Sequence, residues 1–207
     1  MTETKIPRRE RERLRHRQEI LDAARKVLSD RGLDGVTVEH VAREADFAVG
    51  SIYRYFDSKE QLIDELLTDL VEPFFEELDQ IARKGLPFEA RLLETIRLSY
   101  ERHVESAPFV MAFLSAPGAL PMPGTVAGRQ VQEIGLRLMG AVDELLAQGQ
   151  AEGVIVEGDR APFVMALGAL IEGLVKWTMF SGLPMEGDGA ERVAGLFLDG
   201  ARRRSKS

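Results

Sequence analysis

The chain has no cysteine among its 207 residues. Disulfides, thiolate-bound zinc and thiol nucleophiles are therefore excluded, and the composition fits a reducing compartment. Histidine is scarce and dispersed, at His16, His40 and His103. No Glu/His pairing of a di-iron bundle is available, and there is no Gly-rich phosphate loop and no nucleophile elbow. No catalytic residue, metal or cofactor is expected. Long apolar runs are also missing. The longest, Ala161 to Ile171, is followed by Glu172 and Lys176, which reads as too short and too interrupted to span a bilayer core of ~30 Å. The opening residues, MTETKIPRRERERLRHRQ, are charged throughout and hold no apolar signal core. A cytoplasmic protein with no membrane partner is expected. Strand signals and internal repeats are absent too, which leaves an all-α fold.

Basic charge is in overall deficit, with a net charge of −7. Its distribution matters more than its sum. Residues 1–60 hold thirteen Lys/Arg against twelve Asp/Glu, and the remainder hold fourteen against twenty-two. The first part is thus near +1 and the rest near −8. Seven of the basic residues lie between Lys5 and Arg17. A nucleic-acid partner needs a local basic surface, and an acidic remainder does not prevent one.

Apolar residues recur at helical spacing along most of the chain. Residues 1–11 read as a disordered basic arm, solvated or touching phosphate. A helix is predicted from about Glu12 to Asp30, with Ile20, Leu21, Ala24, Val27 and Leu28 on one stripe and Gly32 as its stop. Two short helices follow within Val38 to Phe56. Thr37 is placed to cap the first, Val38 to Ala45, and Asp46 suits the left-handed turn after it. The second starts near Ala48 or Val49 and turns Ile52 and Phe56 inward. Asp57 with Glu60, or Ser58 with Gln61, forms a capping box for a long helix to about Lys84 that Pro73 is expected to bend. Further helices are predicted over Phe88–Glu105, Pro108–Leu114, Gly128–Gln150, Asp159–Phe180 and Asp188–Arg204, the last two capped by Asp159 and by an Asp188–Glu191 box. Residues 115–127, rich in Pro and Gly, are expected to form a loop.

Three helices closing on a tight turn form a helix-turn-helix, whose later helix enters the major groove. Its outward residues include Val49, Ser51, Tyr53, Arg54 and Tyr55. Phenols, a guanidinium and a hydroxyl suit phosphates and base edges. The order Thr37, Val41-Ala42, Ala45, Gly50-Ser51-Ile52-Tyr53-Arg54-Tyr55-Phe56 and Ser58-Lys59-Glu60-Gln61-Leu62 resembles the TetR family of bacterial transcription repressors, over about residues 13 to 65. Asp46 stands where that family usually has Gly, and Ala48 where it often has Ser. The resemblance implies that Tyr53, Tyr55 and Lys59 touch phosphates and that Thr37 does so from a helix N-terminus. It implies that Val49, Gly50 and Ser51 face base edges, with Arg54 beside them. It further implies a DNA-binding domain over 12–57 and a ligand-binding and dimerisation domain over 58–207, about nine helices in all.

The implied partners are double-stranded operator DNA, a second copy of the chain and a small, mostly hydrophobic effector. Ala166, Leu167, Leu170, Gly173 and Leu174, with Val193, Leu196, Phe197 and Ala201, are candidates for the dimer interface, because a helix apolar nearly all round needs more than one partner surface. Intramolecular core is the competing reading for them. Phe74, Leu78, Tyr100, His103, Phe109, Met111, Phe113, Met139, Trp177 and Phe180 are candidates to line the effector pocket, or to be plain core. A regulator governed by a protein partner, or by none, is the alternative function, followed by a helical enzyme.

Overall fold

The computed structural model describes residues 7–115, 126–181 and 188–201, except for the side chains of 103–115, 126–128, 130, 131 and 179. Eight α-helices occupy the described residues: α1 Arg8–Arg31, α2 Val38–Glu44, α3 Val49–Ile52, α4 Lys59–Arg83, α5 Phe88–Ser115, α6 Val126–Ala151, α7 Ala161–Ser181 and α8 Gly189–Ala201. The fold is all-α, as expected, with eight helices among the described residues where about nine were expected for the chain. The segment Pro108–Leu114, predicted to be separate, continues α5. Of the predicted loop 115–127, Ser115, Val126 and Ala127 are helical, and residues 116–125 lie outside the described residues. The chain divides into two compact units, 1–71 with 108–132 and 72–107 with 133–207.

In the first unit, α1 begins four residues before the predicted start. Ion pairs one turn apart, Arg8–Glu12, Glu10–Arg13 and Arg15–Glu19, run along this charged end. Such exposed pairs contribute about 0.2–0.5 kcal/mol each. Helix α1 ends as predicted, where Gly32 at φ 67° donates its N–H to Leu28 O. Its stripe Ile20, Leu21, Ala24, Val27 and Leu28 is buried with Val38, Val41 and Ala42 of α2, Ile52 and Phe56, and Leu62 and Leu66 of α4. Full burial of Ile52 and Phe56 stabilises by about 1.5–3 kcal/mol each. That burial anchors α3, too short to persist alone. Ser58 Oγ accepts from Gln61 N–H at 3.1 Å, and Gln61 Oε1 accepts from Asp57 N–H. Ser58 thus caps α4 as predicted, but Gln61 reaches back to Asp57 and not to Ser58, so the predicted Ser58–Gln61 box is only half formed.

The second unit packs Phe88, Leu92 and Ile96 of α5 with Leu145 and Leu146 of α6, Leu167, Ile171 and Leu174 of α7, and Val193 and Phe197 of α8. Glycine is ordinarily a weak choice inside a helix, by about 0.5–1 kcal/mol against Ala. Gly149 of α6 is an exception, because a Cβ there would sit 2.8 Å from the Phe88 ring and 2.9 Å from Ile155. Both neighbours are buried core. Overpacking of this kind costs about 1–3 kcal/mol and outweighs the helix gain. Gly149→Ala is therefore expected to lower the urea midpoint, and a raised midpoint would show that the core yields freely.

Charged side chains tie the surfaces of this unit. Asp188 caps α8 through Ala190 N–H and Glu191 N–H. Glu191 does not complete the predicted box, since its carboxylate accepts from Arg97 instead. The Arg97 guanidinium, aided by those backbone donors, holds the Asp188 carboxyl below its ordinary pKa. Arg160 does the same to Asp143, and Arg137 to Glu72. A carboxylate depressed in the folded state stabilises at neutral pH, and that contribution is lost as pH falls through the folded value. The melting temperature is expected to hold down to about pH 5 and to fall below about pH 4, with a shallower fall in Asp188→Asn. An unchanged acid profile in Asp188→Asn would count against the pairing.

Candidate nucleic-acid interface

The interface is built from the turn between α2 and α3. Thr37 Oγ accepts from His40 N–H at 3.2 Å and starts α2 as predicted. The His40 ring donates from Nδ1 to Gly35 O at 2.8 Å and braces the segment before it. After α2, Asp46 adopts φ 57°, the left-handed conformation expected of it. Phe47 N–H then bonds Ala42 O at 2.8 Å, which closes the turn. Ala48, at the N-cap of α3, supplies no side-chain bond. The helix start thus lacks the hydroxyl that a Ser would bring.

Buried Ile52 and Phe56 leave a distinct outward face. Val49, Gly50, Tyr53 and Arg54 are exposed and Ser51 is half-buried. Tyr53 is 50% exposed, so its phenol is free to reach a ligand. A Cβ at Gly50 would meet nothing within 4 Å, so Gly50 leaves the helix surface open to close approach. Arg54 Nη2 donates to Ser51 Oγ at 2.9 Å, one turn back along the same face. Lys59 is half-buried at the first position of α4, where the helix dipole disfavours a cation. An anion beside it would remove that cost.

Tyr55 departs from the expected outward set. It is half-buried, its hydroxyl lies 3.0 Å from His16 Nδ1, and its ring meets His16 and Phe47 edge-on. Its polar handle is spent on α1, because the turn after α3 rotates it from the face that carries Tyr53. Reading α3 and its following turn as one continuous helix hid that rotation. His16, Phe47 and Arg17 support the site and were not among the predicted residues. Arg17 carried a usable signal, since it lies one turn from Ile20 and Leu21 on the buried stripe of α1.

The other predicted sites fare unevenly. Among the dimer candidates, Leu167, Leu174, Val193, Phe197 and Ala201 are buried in the second unit's own core. Leu170 is half-buried, and Ala166, Gly173 and Leu196 are exposed. Among the pocket candidates, Phe74 stacks edge-on with Phe75 at 5.4 Å, and the Tyr100 hydroxyl pairs with Thr178 Oγ1 at 3.0 Å. Leu78 borders a cavity of about 40 Å³ with Thr95, Leu138 and Leu145. A ligand pocket takes about 300–1,000 Å³, so this cavity is of solvent size. Met139, Trp177 and Phe180 are exposed, at 49%, 57% and 77%. The side chains of His103, Phe109, Met111 and Phe113 lie outside the described residues.

Two short helices on a left-handed turn, with the second presenting Tyr, Arg, Ser and Gly, define a helix-turn-helix DNA-binding module. Residues 20–66 match the family model described as bacterial regulatory proteins, tetR family. The match lies over α1 to the start of α4 and covers the helix-turn-helix, which is where the chain resembles this family of bacterial regulatory proteins. It is similar to the transcriptional repressor KstR2 of Rhodococcus jostii, with 38% identity over 85 residues, covering 41% of this chain and 42% of that protein. The chain thus spans about two fifths of that curated relative's length. A fatty acid metabolism regulator protein of Bacillus subtilis is 25% identical over 165 residues, covering 78% of this chain and 82% of the relative. The fold resembles the crystal structure of the regulator FadR from Bacillus subtilis in complex with stearoyl-CoA. The TM-score is 0.72 at 21% identity, over 89% of this chain and 99% of the other.

Proposed function

We propose that the chain is a transcriptional repressor that binds palindromic operator DNA as a homodimer and is released by a small, mostly hydrophobic effector. The observation that carries the DNA reading is the exposed face Val49, Gly50, Ser51, Tyr53 and Arg54, held by a fully buried Ile52 and Phe56. Residues 12–57 serve as the reading domain, and residues 58–207 as the sensing and dimerisation domain. Thr37, Tyr53 and Lys59 grip phosphates, and Val49, Gly50 and Ser51 meet base edges with Arg54. The protein acts in the cytoplasm, on the nucleoid when bound.

Support for the dimer comes from α7 and α8. An 18-residue window of α7, Ala161–Thr178, has a mean hydropathy of 1.3 with only 22% of it buried. By length and composition α7 is long and apolar enough to cross a membrane, which the expectation of a run too short and too interrupted had excluded. One face of α7, with Leu167, Ile171 and Leu174, packs in the core of its unit. The opposite face presents Met165 at 73% exposure and Phe180 at 77%, with Leu196 of α8 at 65%. Gly168, Gly173, Gly195 and Gly200 meet nothing within 4 Å where a Cβ would stand. Exposed helix glycines cost about 1 kcal/mol each against Ala, and nothing in the protomer offsets that. A second copy packed closely on α7 and α8 would. This reading keeps Ala166, Leu170, Gly173 and Leu196 at the interface and adds Met165, Trp177 and Phe180.

The effector class follows from the apolar candidates Phe74 and Leu78 and from the stearoyl-CoA held by the structural neighbour. Selection from random duplexes, followed by titration of the bound complex with stearoyl-CoA, tests both parts. A two-fold symmetric site and release by the thioester are expected. Duplexes enriched without symmetry would refute the dimeric reading, and a complex indifferent to acyl-CoA would refute this effector class. A ligand can release the protein only by binding its two states unequally.

A further inference from the structure

We propose that Arg17 is a positioning residue for operator reading, one that fixes the exit of the recognition helix against α1 and α4 without touching DNA. The inference rests on the DNA-binding function proposed above. The turn that closes α3 leaves carbonyls with no helical partner. Arg17 Nη1 donates to one of these, Tyr55 O, at 2.8 Å. The same guanidinium donates through Nη2 to Glu65 of α4, and it lies over the Phe56 ring with Cζ 4.7 Å from the centroid. Glu65 is held from its other side by Gln61 Nε2 at 3.0 Å, and Gln61 Oε1 accepts from Asp57 N–H. One side chain of α1 therefore reaches a carbonyl, an aromatic face and a carboxylate that flank the junction of α3 and α4.

This geometry calls for arginine in particular. Two N–H groups must point along different directions while the plane between them covers a ring. A lysine ammonium offers a point charge and cannot do all three. The cation also lies near the C-terminal end of a helix, where the dipole favours it. Arg17 and Glu65 are 26% and 24% exposed, so solvent screens the pair only in part. Tyr53 and Arg54 directly precede the clamped carbonyl. Loosening it would let the reading face rotate relative to α1.

The test uses duplexes selected by the full-length wild type and scrambled controls, with affinity measured over a range of salt. Wild type, Arg17→Lys, Glu65→Gln and the double variant are compared, each shown to be folded by circular dichroism. Arg17→Lys keeps the charge and is expected to lose affinity for the selected duplex by about tenfold or more. Its affinity for scrambled DNA and its salt slope should stay at the wild-type values. Glu65→Gln, which keeps an acceptor, should lose less, and the double variant should be no worse than Arg17→Lys alone. An unchanged ratio of selected to scrambled binding in Arg17→Lys would reduce the residue to a stabilising ion pair and overturn the proposal. An equal loss on both duplexes with a flatter salt slope would make it a phosphate contact and overturn it as well. A wild type that enriches no duplex would sink the DNA-binding reading itself, and this proposal with it.

Discussion

Replacing Tyr53 by Ala is expected to leave the fold intact and remove most operator binding. The phenol is half exposed, and the hydrophobic anchors of α3 are Ile52 and Phe56, both fully buried. Helical content and melting temperature should therefore stay close to wild type. A hydrogen bond to a charged group such as a phosphate contributes about 1.5–3 kcal/mol. In a two-fold complex each subunit loses it, so the cost is about 3–6 kcal/mol, or ~10²- to 10⁴-fold in affinity. Fluorescence anisotropy with a labelled operator reads the loss directly. Wild-type affinity in Tyr53→Ala would remove the phenol from the interface and leave Arg54 and Ser51 as the polar readers. Tyr55→Phe provides the contrast. Its hydroxyl faces His16, so its loss should disturb the aromatic cluster of α1 more than the DNA contact.

Leu196→Glu is expected to convert the proposed dimer into a monomer. At 65% exposure the side chain supports little of the protomer's own core, so the isolated chain should still fold. At an interface the new carboxylate would be buried without a partner, which costs about 3–5 kcal/mol. Two-fold symmetry counts that cost twice, giving about 6 kcal/mol or more, and ~10⁴-fold in the dimer dissociation constant. Sedimentation velocity at micromolar concentration should show a single protomer, and binding to a palindromic site should weaken steeply with the loss of the second reading helix. A variant that still sediments as a dimer would move the interface away from the outer face of α8. Trp177→Glu probes α7 in the same way.

The parts of the structure legible in the sequence are those decided by chemistry within a few residues. Thr37 and Ser58 as caps, Gly32 as a stop and Asp46 in a left-handed turn all depend on near neighbours. The outward face of α3 was legible for the same reason, because Ile52 and Phe56 set the inward one. Faces chosen by tertiary packing were not legible. Helix α7 is apolar on both sides, so periodicity could not decide whether Leu167 or Ala166 meets the core. Trp177 and Phe180 look like pocket lining by composition, yet they fall on the open side of the same helix. Tyr55 was misplaced because His16, 39 residues away in the chain, attracts its hydroxyl. Arg97 and Glu191, separated by 94 residues, hid the incomplete capping box in the same way. Pro108 reads as a helix break, but α5 continues through it, as α4 does through Pro73.

The effector reading rests on the pocket candidates, whereas the base-reading face rests on α3 and the residues that hold it. The two can therefore fail separately. A chain that binds operator but ignores acyl-CoA keeps its identity as a DNA-binding regulator and loses only its signal. The measurement that tests the central claim most directly is the affinity of the wild-type protein for a selected duplex and for a scrambled duplex of equal length, across a salt series. The selected duplex is expected to bind tighter by about 10³-fold or more, with log affinity falling linearly in log salt for both. Equal affinity for the two duplexes at every salt concentration would contradict sequence-specific reading by Val49, Gly50, Ser51 and Arg54.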